Sequence, residues 1–229
     1  MRLVSASAVA IAVALFIPTV HSQQPQDADR KVAGGGISAK GWKGAVDPGN
    51  KQGLTVNDSK FAPEGSGFRL TTGAAGIFWN PAHTAKGDYT VKGTFKEAKQ
   101  TYNHPHPFGV FIAGKNLDTE APSYLYCSAY RNGNFIVNQF VDGKVTRIAT
   151  RTPHEAIDKA TGPDDEVTQE VGWTVKGSKA ECTINGKPVH SIDRADPAGK
   201  VKIDSFDGIY GIRTSHNAEA VVTGLGASK

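Results

Sequence analysis

Short runs in which apolar and polar residues alternate dominate the chain from Trp42 onward. Across 170–175, Val171, Trp173 and Val175 share one side of an extended backbone; across 180–184, Ala180, Cys182 and Ile184 do the same. Turn dipeptides separate such runs. Asn132-Gly133, Asp142-Gly143, Asn185-Gly186 and Asp207-Gly208 read as tight hairpins, because these residues tolerate positive φ, and the segments around Gly87 and Gly177 read as further turns. The pattern predicts strands at 68–72, 76–80, 88–97, 108–113, 124–131, 134–141, 144–151, 166–176, 179–185, 187–192, 209–216 and 218–225. Roughly a dozen short strands at this spacing predict an all-β, antiparallel two-sheet jelly-roll sandwich.

One helical signal interrupts the pattern. Thr152-Pro153-His154-Glu155 has the form of a capping box with proline at the first helical position, and Gly162-Pro163 would stop it. A short helix on a connecting loop is therefore expected at 152–160. No repeat and no second domain are visible, so 41–229 reads as one sandwich domain.

The first residues follow another logic. Arg2 precedes an apolar run to Ile17, and small or apolar residues stand at Val20 and Ser22, which predicts a secretory signal peptide over 1–22. The apolar run is short for a bilayer span, so no membrane span is expected after cleavage. Residues 23–40 are polar and carry Gly34-Gly35-Gly36, which reads as a flexible lead-in. The mature chain is expected to be exported, to a periplasm or out of the cell.

Composition narrows the classes further. Twenty-six glycines and twelve prolines in 229 residues, with 38% hydrophobic and 21% charged positions, exclude collagen, coiled coil and a multi-span membrane protein. The net charge of +4 is spread among interleaved acids and bases, and no basic stripe alternates with aromatics, so nucleic acid is not an expected partner. Cys127 and Cys182, in an oxidising compartment, either form a disulfide worth about 4 kcal/mol or serve as two buried apolar thiols.

The order of motifs resembles a known family. Phe68-Arg69-Leu70-Thr71-Thr72, the run Gly87 to Phe95, Phe108-Gly109-Val110-Phe111-Ile112-Ala113-Gly114, Asn185-Gly186-Lys187-Pro188-Val189 and Gly208-Ile209-Tyr210-Gly211-Ile212-Arg213 succeed one another. This is similar to the secreted bacterial concanavalin A-like lectin/glucanase sandwiches, nearest to the 3-keto-disaccharide hydrolase domain group. The resemblance implies the fold and a carbohydrate ligand. It carries over no catalytic residue, because the E-x-D-x-E strand of the glucanases is absent; Asp118-Thr119-Glu120 and Asp164-Asp165-Glu166 are the nearest spacings and read as loop charges.

Chemistry is expected on the strand 124–131. Leu125, Cys127 and Ala129 would face the core, leaving Tyr124, Tyr126 and Tyr130 on the other side, with Arg131 at the strand end. Ring faces and hydroxyls together suit a sugar. Tyr102, His104 and His106 lie on a proline-stiffened segment that reads as a rim loop, and Trp79 and His216 stand at strand ends. These nine residues form the expected ligand-binding set. No spacing selects a metal-ligand set, no cofactor is expected, and calcium is supported by no motif. The resulting expectation is an exported carbohydrate-binding, lectin-like sandwich, with no catalytic residue identified. The alternatives are a glycosidase-type hydrolase or lyase on a modified disaccharide, and a structural or protein-binding envelope protein.

Overall fold

The computed structural model describes residues 28–100, 102, 104–197 and 199–229. The signal peptide expected at 1–22 and the first part of the lead-in, 23–27, lie outside these residues.

Fifteen strands run in chain order among the described residues. They begin with β1 (Gly36–Ile37), β2 (Lys43–Val46), β3 (Lys60–Glu64), β4 (Gly67–Thr71) and β5 (Gly76–Ala85). Next come β6 (Tyr89–Glu97), β7 (Phe108–Lys115), β8 (Ser123–Tyr130), β9 (Asn134–Val141) and β10 (Lys144–Pro153). The last five are β11 (Val167–Lys176), β12 (Lys179–Ile184), β13 (Lys187–Asp193), β14 (Gly208–Thr214) and β15 (Glu219–Ser228). They form two sheets. An eight-stranded sheet has the order β1-β3-β4-β15-β6-β11-β12-β13, and a seven-stranded sheet has the order β10-β9-β8-β7-β14-β5-β2. Every pairing is antiparallel except β1 with β3.

The core between the sheets follows from period-2 alternation. Val110, Ile112, Leu125, Cys127, Val137 and Ile212 of the seven-stranded sheet meet Val91, Phe95, Val171, Trp173, Ala180 and Ile184 of the other. Trp173 is fully buried, and its indole Nε1 donates to the Val110 carbonyl at 3.1 Å, so the one polar atom of the ring is satisfied across the core. Cys127 on β8 and Cys182 on β12 are joined by a disulfide, with Cα atoms 6.1 Å apart. Among the described residues no helix is long and apolar enough to cross a membrane.

Asp142-Gly143 and Asn185-Gly186 form the expected turns, with φ of 48° and 77° in the first and 50° and 76° in the second. Three expectations need correction. Asp207-Gly208 is not a hairpin; Gly208 opens β14, where an added Cβ would lie 2.9 Å from the backbone of Ala113 and Gly114. The helix expected at 152–160 is absent. Instead β10, at the sheet edge, continues through Thr152 and Pro153, paired with Phe135 and Asn134, and an edge strand tolerates proline. A single turn follows, with Ile157 N–H donating to the His154 carbonyl at 3.3 Å and the Ile157 side chain buried. The helical segment that does form is a 3-10 turn at Val56–Asp58, with a capping box between Thr55 and Asp58.

The lead-in is also packed from residue 28. Val32 N–H donates to the Asp58 carbonyl at 3.0 Å, and β1 pairs with β3. Gly35 permits this approach, since a Cβ there would stand 2.1 Å from the Asn57 carbonyl oxygen.

Candidate functional site

The seven-stranded sheet turns a second, independent side-chain layer away from the core. Strand alternation puts Tyr124, Tyr126, Ser128 and Tyr130 of β8 there, opposite the core-facing Leu125, Cys127 and Ala129. In register, Phe111 of β7 stands beside Tyr126, which stands beside Asn138 of β9, which stands beside Arg147 of β10. Ile77, Trp79, Phe111, Leu117, Tyr124, Tyr126 and Phe140 pack into one apolar cluster on this side. Leu117 comes from the β7–β8 loop, which is tied down by Lys43 Nζ donating to Asp118 Oδ2 at 3.2 Å.

A polar spine runs through that cluster. The Arg213 guanidinium, reaching from β14, makes a bidentate ion pair with Asp47 and donates to the Tyr124 hydroxyl at 3.2 Å. It also lies 4.7 Å from the Tyr126 ring centroid. Burial works against the Arg213 charge, but Asp47 overrides it and holds the guanidinium well above its ordinary pKa. Burial likewise pushes the Tyr124 hydroxyl far up, against the opposing pull of Arg213. The Tyr126 hydroxyl accepts from Asn138 Nδ2 at 2.7 Å.

Two open depressions flank this spine. One, of about 330 Å³, is lined by Tyr130, Ile136, Asn138, Arg147, Thr150 and Arg151. The Arg151 guanidinium sits 4.3 Å from the Tyr130 ring centroid, and among the described residues neither Arg147 nor Arg151 has a salt-bridge partner. Asn138 Oδ1 is buried with no hydrogen-bond partner among the described residues. The other depression, of about 590 Å³, lies along β2 and the β7–β8 loop, and Asp47, Asp118 and Glu120 line it. Lys43 draws the Asp118 carboxyl below its usual range.

The structure distributes the expected ligand residues over three places. Tyr130 lines the smaller depression and Tyr126 stands beside its Asn138, but both rings are buried. Tyr124 and Trp79 lie on the same face and are 1% and 2% exposed, covered within the Leu117 cluster, so they support the floor rather than present a surface. Arg131 is elsewhere. It is buried at the end of the sandwich, where it donates to Glu97 Oε1 at 3.1 Å and to the Gly162 and Asp165 carbonyls. Burial raises the Glu97 carboxyl, more strongly than Arg131 lowers it. Tyr102, His104, His106 and His216 gather in a separate group where β7 begins and β14 ends.

Sequence reasoning missed Asn138, Arg147, Thr150, Arg151 and Asp47. A signal existed for Asn138, which stands on the same strand parity as the apolar Ile136 and Phe140, opposite the core-facing Phe135 and Val137. Asp47 lies on a loop whose approach to Arg213 no periodicity encodes.

No protein-family model matches the chain, and no curated protein matches it in sequence. Solved structures do match in fold. The carbohydrate-binding module CBM66 of Bacillus subtilis superposes with a TM-score of 0.57 at 9% identity, over 82% of this chain and 96% of that one. A Bacillus subtilis protein of unknown function with a galectin-like fold gives 0.55 at 16% identity, over 81% and 88%. The endo-β-1,3-glucanase of Pyrococcus furiosus gives 0.51 at 10% identity, over 83% and 88%. The fold is that of a concanavalin A-like sandwich. At these identities the likeness extends to the arrangement of the strands alone. Within this concanavalin A-like frame the Asp47–Arg213–Tyr126–Asn138 spine is built from this chain's own residues.

Proposed function

We propose that the protein is an exported carbohydrate-binding sandwich that takes a saccharide in the depression over β8, β9 and β10. The observation that carries this reading is Asn138 Oδ1. A buried carbonyl oxygen without a donor is costly, and this one belongs to a residue that lines an open depression. A sugar hydroxyl satisfies it as donor and accepts in turn from Arg147 or Arg151, while the half-buried Ile136 offers apolar floor to the sugar's C–H face. The fold likeness to a carbohydrate-binding module and a glucanase supports saccharide as the ligand class. Export is supported by the Cys127–Cys182 bridge, since disulfides persist in oxidising compartments. The binding reading calls for no cofactor.

A hydrolytic reading would draw on Asp47, Asp118 and Glu120 around the larger depression. It needs a carboxyl held protonated as general acid. Lys43 pulls Asp118 the other way and Arg213 engages Asp47. The carboxyl that burial does raise, Glu97, sits with Arg131 away from this face. Binding without turnover is therefore the better-supported reading.

Calorimetric titration with a panel of neutral and acidic oligosaccharides, with products followed by mass spectrometry, tests it. Asn138→Ala is expected to weaken the bound saccharide by about tenfold, roughly 1.4 kcal/mol, with folding unchanged. Failure to bind any saccharide would leave the face as a protein-contact surface and overturn the proposal.

A further inference from the structure

The sequence selected no metal ligands, yet the fold brings three imidazoles together. His104 and His106 come from the β6–β7 connection, and His216 from the β14–β15 loop. One ring nitrogen from each lies within 4.8 Å of the other two. The His104 and His106 rings stack with centroids 4.6 Å apart, and His106 and His216 are also 4.6 Å apart.

The surroundings orient these rings. His216 Nδ1 meets Asp29 Oδ1 at 2.7 Å, and His106 Nδ1 meets the His216 backbone carbonyl. An oxygen at Nδ1 places the proton there and makes Nε2 the basic nitrogen, the outer-shell device that orients metal-bound histidines. Asp29 is itself fixed. Asn217 Nδ2 donates to the Ala28 carbonyl at 2.9 Å, and Asn217 Oδ1 accepts from the Arg30 N–H at 2.8 Å, so the residues on both sides of Asp29 are pinned. Arg30 Nε then donates to the Thr72 carbonyl at 2.9 Å. The two loops are tied by Ser215 N–H donating to the Pro107 carbonyl at 3.1 Å. Proline on each side of His106 restricts the backbone that carries it.

We propose that His104, His106 and His216 form a binding site for a divalent transition-metal ion, zinc in the first instance, with Asp29 orienting His216. Imidazole nitrogens suit zinc, copper and nickel rather than calcium or magnesium. On a tetrahedral zinc with bonds of about 2.0–2.1 Å, ligand nitrogens stand roughly 3.3 Å apart. The trio therefore closes on an ion by ring rotations and small shifts, to which the exposed His104 is best suited. Three histidines leave the fourth position of such an ion to water or to a ligand. The site is separate from the saccharide depression and does not depend on that reading.

The test is calorimetric titration of the metal-stripped protein, purified without a histidine tag, with zinc chloride. Cobalt(II) absorption serves as a second readout of tetrahedral coordination. One equivalent of zinc is expected to bind, and His104→Ala, a change at an exposed ring, weakens it by at least about tenfold while the thermal transition of the metal-free protein stays in place. Asp29→Asn lowers affinity by about ten- to a hundredfold through loss of orientation. Asn138→Ala is expected to bind zinc as the parent does. Absence of zinc binding, or binding that His104→Ala leaves unchanged, overturns the proposal.

Discussion

Arg213 and Asp47 concentrate the electrostatics of the candidate face in one ion pair. The Arg213 side chain is 8% exposed and that of Asp47 27%, so the pair is screened far less than a surface bridge. Its worth lies in the asymmetry between keeping and breaking it. Asp47→Ala leaves a buried guanidinium beside two tyrosines without its counter-charge, and a loss of about 3 kcal/mol in urea unfolding is expected. Replacing both partners, Asp47→Ala with Arg213→Met, is expected to recover much of that loss. Equal losses in the single and double variants would show that packing, not the charge, is what Asp47 supports. A second residue-scale expectation concerns pH. Burial lowers the pKa of His83 from 6.5, and its ring lies against Trp42 and Tyr210. Burial, then the nearby Lys200, lowers His190 as well. At these two rings the folded state thus binds fewer protons than the unfolded one. The stability these rings contribute is full above pH 6.5 and is lost as the pH falls through their folded values. His83→Phe is expected to flatten the fall in melting temperature between about pH 6.5 and about pH 5, and an unchanged slope would dismiss the assignment.

At the scale of elements, alternation was legible and approach was not. The strand read at 134–141 is β9 itself, and each of the other eleven expected strands is present with ends shifted by a few residues. Those segments bury one face, and a period of two is the direct trace of that burial. β1, β2 and β3 were not read. The first is two residues long, the second is a four-residue edge strand, and the third contains Pro63, so each lacks a long enough apolar series. The capping pattern at Thr152 was overridden because a short isolated helix is costly to nucleate, while β9 offers ready partners. The site divides in the same way. Tyr124, Tyr126 and Tyr130 were placed on the correct side of β8 by parity, but parity says nothing of the Leu117 loop that covers Tyr124. Arg131 lies away from this face because the chain leaves the strand after Tyr130, where the period no longer applies. The histidine trio joins two loops far apart in sequence, with Asp29 on a third segment, and such a meeting is a property of the closed fold alone.

On the scale of the whole molecule, the two sheets are held by burial and by one covalent link. The disulfide joins β8, inside the seven-stranded sheet, to β12 of the eight-stranded sheet, across a sequence separation of 55. It lies in the same apolar layer as Trp173 and Val110, so it adds a cross-link where packing is already dense. Its effect on stability is therefore sought in the unfolded chain, which it closes into a long loop, a constraint of about 4 kcal/mol in the chain-entropy picture. For a domain of this size, about 1 kcal/mol moves the melting temperature by roughly 2–4 °C. The double variant Cys127→Ala with Cys182→Ala is thus expected to melt roughly 8–16 °C below the parent in scanning calorimetry. The replacement also removes two sulfur atoms from a fully buried layer, which places the expected shift toward the upper part of that range. Cooperativity distinguishes the mechanisms. If the bridge acts by restricting the unfolded chain, the variant still unfolds in a single transition, with both sheets lost together. Two separated transitions would show instead that the bridge is what couples the sheets. A shift below about 3 °C would show that burial between the sheets sets the stability by itself.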